Sequence, residues 1–207
     1  MNRVSFVFVV SVILLLFLSS CREEPVVTSQ TAKEDPEETY LDRPILSEVS
    51  GVTLTQGDII TITPPEQAEV HYTMDGSEPT TDSPSDTTIS LADVLGDVTI
   101  KVMALKDGIN SKVKTINITV RKIKAPTFNL KDEASVYTNY PIMATSEEGT
   151  TIRYTVDRTT PTATHGYESN RISRSGMIGS VWIKAVAVKN GVCSDVSVLH
   201  INSLGMA

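Results

Sequence analysis

The chain has 207 residues, of which 25 are acidic and 18 are basic, so its formal net charge is −7. This balance supplies no cluster of Lys and Arg for the phosphates of DNA or RNA, which argues against nucleic acid as a partner. Aromatic residues make up 5% of the chain. So small an aromatic content also counts against a broad, ring-lined surface for sugars.

Residues 1–20 have the pattern of a lipoprotein signal peptide. Arg3 supplies a positive charge, and the apolar run 4–18 is shorter than the roughly 20 residues that a membrane-spanning helix needs. The run ends in the letters LSSC, which resemble the lipobox of bacterial lipoproteins. That resemblance implies cleavage after residue 20 and a palmitate-bearing Cys21 that anchors the protein to a membrane.

An ordinary secretory signal, with Cys21 as an incidental residue, is the alternative to a lipid anchor. The next residue, Arg22, is not the aspartate associated with inner-membrane retention in enteric bacteria. This favours the outer membrane or the cell surface as the destination. Because a lipid-bearing Cys21 leaves only Cys193, no intramolecular disulfide is expected.

Residues 21–43 read as an acidic, disordered tether. Between residues 22 and 43 there are seven acidic and three basic side chains, two prolines and almost no apolar clustering. Such a segment cannot bury enough apolar surface to offset its conformational entropy, and its like charges extend it. We expect it to lift the folded part away from the membrane.

An internal repeat divides the rest of the chain. The segment YTMDGSEPTT at 72–81 recurs as YTVDRTTPTA at 154–163, and VTIKVMALKDGINSKV at 98–113 recurs as VWIKAVAVKNGVCSDV at 181–196. The offsets are 82 and 83, and the longer pair is identical at eight of sixteen positions. The sequence therefore predicts two copies of one unit, module 1 at 44–121 and module 2 at 122–205.

Apolar and polar residues alternate within each module, as in half-buried strands, and no segment has sustained helical spacing. The dipeptides Asp107-Gly108 and Asn190-Gly191 lie between apolar runs and predict tight hairpins. The fold class is therefore predicted to be all-β, with two tandem immunoglobulin-like or fibronectin-like β-sandwiches. The residues predicted for the two cores are Val70, Tyr72, Ile100, Val102 and Ala104, and Ile152, Tyr154, Ile183, Ala185 and Ala187.

The repeated motifs resemble a known module. The pattern Y-T-x-D-G-S-x-P-T at 72–80, followed by I-K-x-x-A-x-K-D-G at 100–108 and by Ser111, is similar to the chitobiase/β-hexosaminidase C-terminal-type module, also described as a fibronectin type III-associated repeat. The resemblance spans 44 to about 203 and implies accessory, non-catalytic domains without agreed active-site residues. Module 2 departs from the pattern at Arg158, which replaces the turn residue Gly76.

No residue pattern indicates a catalytic site or a cofactor. His71, His165 and His200 have no nucleophile or carboxylate at a known motif spacing, and surface positions are expected for all three. Cys193 takes the place of Asn110, which favours a structurally permissive position over a reactive thiol. The protein is therefore predicted not to be an enzyme.

A calcium site in module 1 is a weaker alternative to simple turn capping. Four aspartates crowd the turn and the variable loop, namely Asp75, Asp82, Asp86 and Asp93. Their spacing fits no EF-hand, and module 2 keeps only Asp157 of the set. Asx-turn capping explains these carboxylates without a cation, so no metal is predicted.

The single tryptophan, Trp182, takes the place of Thr99 and lies on the strand face shared with Lys184, opposite the core residues. Together with Arg153, Lys184 and Tyr167 it is the candidate ligand-binding surface of module 2. The alternative is that Trp182 covers the 164–180 segment or packs against module 1.

The function predicted from the sequence is that of a membrane-anchored envelope lipoprotein whose modules bind an extracellular or envelope ligand, either a glycan or a protein. The alternative is a structural spacer or assembly component without a ligand of its own.

Overall fold

The computed structural model describes residues 40–206, and within that range every regular element is a β-strand. No helix among these residues is long and apolar enough to cross a membrane. The predicted signal peptide, Cys21 and most of the predicted tether lie outside the described residues.

Module 1 is built from two sheets. Its strands are β1 Ile45–Leu46, β2 Thr53–Thr55, β3 Ile59–Thr63, β4 Glu69–Thr73, β5 Thr88–Ser90, β6 Gly96–Lys106, β7 Ile109–Asn110 and β8 Lys114–Arg121. The smaller sheet has the order β1-β3-β5, and the larger has the order β2-β8-β6-β4 with β7 beside β6. Strand β2 runs parallel to β8, and the other pairs are antiparallel.

Module 2 repeats this arrangement with one added strand. Its strands are β9 Thr127–Phe128, β10 Ala134–Tyr137, β11 Ile142–Thr145, β12 Thr151–Thr155, β13 Tyr167–Glu168, β14 Arg171–Ile172, β15 Gly179–Lys189, β16 Val192–Cys193 and β17 Ser197–Leu204. The sheets have the orders β9-β11-β14 and β10-β17-β15-β12-β13, with β16 beside β15. The prediction of an all-β, immunoglobulin-like or fibronectin-like sandwich fold is confirmed.

Each pair of sheets encloses its own hydrophobic core. In module 1 the core joins Ile60 and Ile89 of the smaller sheet to Ile100 of the larger one, and in module 2 Ile142 meets Ile183 in the same way. The predicted core residues are buried with one exception, Tyr72, which lies half-buried at the edge of its cluster. The described residues lie within one compact unit, so independent folding of the modules stays a prediction.

The two predicted hairpins are present and have the same backbone geometry. Asp107 and Gly108 have φ angles of 50° and 78°, and Asn190 and Gly191 have φ angles of 45° and 84°. Positive φ at both central residues of a two-residue loop is the type I′ turn, whose twist matches that of the flanking strands. Asn and Asp tolerate this region, and Gly occupies it freely.

His71 is not on the surface, so the expectation of an exposed histidine was wrong here. The side chain is 5% exposed, and it is paired across the sheet with Met103, which is also buried. Its Nδ1 lies 3.1 Å from the carbonyl oxygen of Ser83, and the backbone N–H of Tyr72 donates to the carbonyl of Pro84. The loop that follows β4 therefore runs alongside this strand and covers the outer surface of the sheet at this point.

Arg158 adopts the backbone conformation of the glycine that it replaces. Its φ angle is 71°, against 81° at Gly76. A non-glycine residue in this left-handed region is strained by about 1–2 kcal/mol because Cβ approaches the carbonyl oxygen. The turn is kept by the preceding aspartates, since Asp75 accepts hydrogen bonds from Ser77 and Asp157 accepts them from Thr159.

The two modules contact each other through a close approach of two turns. The carbonyl of Gly57 accepts a hydrogen bond of 2.8 Å from the side chain of Asn190, and Asp58 pairs with Lys189. Gly57 has a φ of 83°, and a Cβ at this position would lie 2.5 Å from the carbonyl oxygen of Lys189. Only glycine fits between the modules here.

A second inter-module contact is centred on Glu147. Its carboxylate forms an ion pair of 2.9 Å with Arg121 and accepts a hydrogen bond of 3.2 Å from the backbone N–H of Lys124. Partial burial by itself would raise the pKa of Glu147, but these hydrogen bonds and the two cations more than offset it, so the pKa is lowered. The end of β8 is thereby fixed against module 2.

Residues just before the predicted start of module 1 at residue 44 already contact this module. Leu41 packs against the core of module 1, and the ammonium group of Lys112 lies 5.0 Å from the ring centroid of Tyr40. The last residues of the predicted tether therefore belong structurally to the module.

Replacing Tyr154 by Ala should unfold module 2 and leave module 1 folded. Tyr154 is 3% exposed, and its hydroxyl accepts a hydrogen bond of 2.9 Å from the backbone N–H of Ser173. Removing a buried aromatic side chain costs about 3–5 kcal/mol, whereas Tyr154→Phe loses only the hydrogen bond, about 1 kcal/mol. Amide chemical shifts in NMR spectra report each module separately; loss of both sets together in Tyr154→Ala would contradict independent folding.

Replacing Glu147 by Gln should loosen the two modules relative to each other without unfolding either. The folded-state pKa of Glu147 is lowered, so in the wild type its contribution is complete above the ordinary value of 4.5 and is lost as the pH falls through the lowered value. NMR relaxation measures the rotational correlation time of each module. Glu148→Gln, an exposed neighbour, is the matched control. Unchanged correlation times in Glu147→Gln would show that the ion pair does not couple the modules.

Candidate functional site

The candidate site lies on the outer surface of the larger sheet of module 2. Trp182 and Lys184 are on β15, alternating with the core residues Val181, Ile183 and Ala185. Arg153 on β12 lies on the same side, because it alternates with the buried Ile152 and Tyr154. We call this surface, with His200 of β17, the Trp182 face.

The ring of Trp182 is stacked on the ring of His200. The two residues are directly paired between β15 and β17, their ring centroids are 4.2 Å apart, and the planes differ by 14°. Trp182 remains 37% exposed, so one side of the indole is held by the imidazole while a large part of its surface faces solvent. A ring that is already fixed in this way loses little conformational entropy when it binds a flat partner.

His200 is in turn held by three polar groups. Its Nδ1 lies 2.9 Å from a carboxylate oxygen of Glu133, its Nε2 lies 2.8 Å from the hydroxyl of Ser180, and its backbone N–H donates to Asp132 at 2.7 Å. The carboxylate can only accept, so the Nδ1–H form of His200 satisfies both ring nitrogens, with Ser180 donating to Nε2. These contacts fix the orientation of the imidazole under Trp182.

Ser180, His200 and Glu133 have the order of a nucleophile–base–acid relay, but their surroundings suit a scaffold better. A catalytic serine needs hydrogen-bond donors at the position of the developing oxyanion. Ser180 lies within the extended strand β15 rather than at a tight turn or helix N-terminus, where such donors converge. The side chain of Glu133 is 74% exposed, so water screens its charge.

The two cations of the Trp182 face are already engaged. Lys184 donates to the backbone carbonyl of Arg158 at 2.8 Å. Arg153 forms an ion pair of 2.9 Å with Glu168 and donates to the carbonyl of Gly166. They therefore frame the surface as anchored polar groups rather than as free charges.

Tyr167 lies on the other side of the sheet. It is paired with Tyr154 between β13 and β12, and the two rings are 5.5 Å apart. Paired residues in an antiparallel ladder point to the same side, so Tyr167 shares the side of the buried Tyr154. The structure thus brings Trp182, Lys184 and Arg153 together and leaves Tyr167 apart from them, exposed at the edge.

Module 1 has a different pair at the position of Trp182 and His200. There Thr99 is paired with Asn117, and the threonine hydroxyl donates to the amide oxygen at 2.8 Å. His200 lies 83 residues after Asn117, the same offset as Trp182 from Thr99. An alignment of the two copies that includes their last strands would therefore have identified His200 as the partner of Trp182. The motifs taken one at a time did not indicate this.

Two of the four candidate aspartates of module 1, Asp75 and Asp86, cap turns. Asp75 accepts from Ser77, and Asp86 accepts from the backbone and hydroxyl of Thr88. These hydrogen bonds from Ser77 lower the pKa of Asp75, as those from Thr159 lower that of Asp157. No group of three or more potential ligands that could hold a metal ion is found between residues 40 and 206.

Two family comparisons match the two modules. Residues 49–117 match the chitobiase/beta-hexosaminidase C-terminal domain family, and residues 142–201 match the Fn3 associated family. No curated protein sequence matches the chain closely enough to be a relative.

The chain is similar to several solved structures at low sequence identity. Fibronectin(III)-like modules of Clostridium thermocellum CbhA are 19% identical, with a TM-score of 0.32, over 78% of this chain and 95% of theirs. Human mucin-like protocadherin is 13% identical, with a TM-score of 0.24, over 78% of this chain and 99% of its own. The insect immune protein hemolin is 12% identical, with a TM-score of 0.30, over 82% of this chain and 49% of its own.

The family matches agree with the motifs of the sequence and with the sheets of the structure. The YTMDGS turn that carried the resemblance lies within the first matched range, and its counterpart lies within the second. The described chain therefore contains a segment similar to the chitobiase/β-hexosaminidase C-terminal domain, residues 49–117, followed by one similar to the Fn3-associated domain, residues 142–201.

Proposed function

We propose that this protein is an envelope lipoprotein that is anchored through Cys21 and binds an extracellular or envelope ligand with module 2. The observation that carries the binding half of the proposal is the exposed, stacked ring of Trp182. The observation that supports the anchor is the signal-like run that ends in LSSC. Residues 22–39 then supply an acidic spacer to the first module.

The Trp182 face has the composition of a binding surface. An exposed indole on a rigid strand offers a large apolar area with a polar edge, and Trp is enriched at binding hot spots. Arg153 and Lys184 are held in place by hydrogen bonds and surround the ring with polar groups. Val198, paired with Lys184 and 48% exposed, adds apolar surface beside it.

A glycan and a protein remain the two ligand classes. A single stacking ring suits one sugar ring, because the apolar side of a sugar lies flat against an indole. The same ring with Val198 suits a small protein contact. The low aromatic content counts against a broad, ring-lined sugar surface but not against a single stacking ring, and the accessory modules that this chain resembles accompany both hydrolases and surface proteins.

A spacer is the second candidate function, and the inter-module contacts favour it. Gly57 accepts from Asn190 and is closely approached by Lys189, while Glu147 joins Arg121 and Lys124. Such contacts restrict motion between modules, which is what a protein that holds a fixed distance from a membrane requires. A spacer of this kind would need no ligand on the Trp182 face.

Replacing Cys21 by Ala should release the protein from membranes. A thioether-linked lipid can form only on the cysteine thiol, so the variant should take up no labelled palmitate and should move to the soluble fraction. Palmitate incorporation and membrane fractionation measure both effects. Cys193→Ala is the matched control and should behave as the wild type; membrane attachment of Cys21→Ala would sink the anchor assignment.

Replacing Trp182 by Ala should abolish ligand capture if module 2 binds through its Trp182 face. A glycan array and cross-linking in intact envelopes provide the candidate ligands. Trp182 is the only tryptophan, so protection of its fluorescence from an aqueous quencher measures binding at this face. Thr99→Ala changes the equivalent position of module 1 and should leave capture intact. If neither method yields a ligand that depends on Trp182, the spacer function is favoured.

A further inference from the structure

Module 2 contains a buried arginine at the end of its smaller sheet. Arg174 follows β14 and is 3% exposed. It donates from Nη1 to the hydroxyl of Ser203 at 2.6 Å and from Nη2 to the carbonyl oxygens of Tyr137 and Tyr140 at 2.7 and 3.1 Å. Its Nε–H is buried without a partner.

This cation has no counter-charge in the described chain. The ion pairs found between residues 40 and 206 do not include Arg174, and all three of its partners are neutral. Burial lowers the pKa of its guanidinium, yet arginine stays charged in proteins. A buried, unpaired charge is costly, so its retention needs a reason.

The corresponding position of module 1 is apolar. Arg174 lies 83 residues after Leu91, which is 0% exposed in the core of module 1. The local turn is the same, because Val94 N–H donates to the carbonyl of Leu91 as Met177 N–H does to that of Arg174. The fold itself therefore does not require an arginine at this position.

The partner of Arg174 has changed together with it. Ser203 lies 83 residues after Val120, and both are buried, at 1% and 2% exposure. A buried Leu and Val in one copy thus correspond to a hydrogen-bonded Arg and Ser in the other. Module 2 thus has a hydrogen-bonded positive charge where module 1 has apolar packing.

A cavity of about 580 Å³ lies against this charge. It is formed by the segments 138–141 and 169–175, and its lining includes Arg174 and a second, exposed arginine, Arg171. Hydroxyl groups of Thr138, Ser173 and Ser175 also line the cavity, and its lining contains no Asp or Glu. The chain as a whole has a net charge of −7, whereas the lining of this cavity has two cations and no acidic residue and is therefore positively charged.

We propose that this cavity binds the oxyanion of a small ligand, a carboxylate, sulfate or phosphate group. Arg171 supplies an exposed charged donor, the hydroxyls supply neutral donors, and Arg174 supplies a positive charge that its hydrogen bonds hold in place. Anions of this kind are recognised by guanidinium groups with high geometric specificity. A bound anion would supply the negative charge that Arg174 lacks among its partners in the described chain.

The size of the cavity indicates more than a bare ion. Pockets that hold small organic molecules have volumes of roughly 300–1,000 Å³. The ligand class is therefore a small organic molecule that carries the anionic group, and a uronic acid or a sulfated or phosphorylated sugar is a suitable probe of it. This site is separate from the Trp182 face, and the inference depends neither on the lipid anchor nor on binding at Trp182.

Titration of the full chain in non-ionic detergent with glucuronate, glucose 6-sulfate and glucose 6-phosphate tests the proposal. Glucose is the neutral control, and chloride keeps the ionic strength constant. We expect saturable shifts of the backbone amides of residues 138–141 and 169–175 with at least one anionic sugar and none with glucose. The three anions distinguish carboxylate, sulfate and phosphate as the preferred group.

Two variants assign the binding to the arginines. Arg171→Gln alters an exposed side chain and should weaken binding at least fivefold with the fold unchanged. The double variant Arg174→Leu, Ser203→Val restores the residues of module 1; because it replaces a buried charge by apolar side chains, it should fold and lose binding. No saturable shifts in the wild type, or equal affinity in the wild type and Arg171→Gln, would overturn the proposal.

Discussion

The long central strand pair of each module, β6 with β8 and β15 with β17, is the constraint on which the rest of the structure depends. Strands β6 and β15 each have 11 residues, and their inward side chains reach the centre of each core. Since side chains alternate strictly between the two sides of a strand, burying one side fixes which residues lie on the other. The positions of Trp182, Lys184 and His200 follow from the burial of Ile183 and its neighbours.

Because the two modules share one fold, equivalent positions in them can be compared directly. The same exposed strand position carries Thr99 in one copy and Trp182 in the other, and the same core position carries Leu91 or Arg174. Both changes occur together with a change in the partner residue across the structure. Each pair keeps its own packing or hydrogen bonding, so both copies keep the same sandwich with different side chains at these positions.

The two unusual features of module 2 differ in their physical character. On the Trp182 face, Arg153 and Lys184 are satisfied by neighbouring acceptors, which leaves an apolar ring as the dominant open feature. In the cavity beside Arg174, the distinguishing feature is a buried positive charge that has no ion-pair partner in the described chain. One surface therefore suits a flat, neutral contact, and the other suits an anion.

The sequence by itself determined the fold class, the duplication, the hairpin turns and nine of the ten predicted core residues, all of them on the larger sheets, because these depend on local alternation and turn chemistry. The dipeptide Asp107-Gly108 is enough to predict a type I′ turn. The alternation of apolar and polar residues around Ile183 is enough to predict that its side chain faces the core. It also placed Trp182 and Lys184 on one side of a strand. Only the tertiary structure decided the burial of His71, the stack on His200 and the position of Tyr167. These depend on loop paths and on partners distant in the chain, as does the unpaired charge of Arg174, whose significance appears only when Leu91 and Ser203 are seen around it.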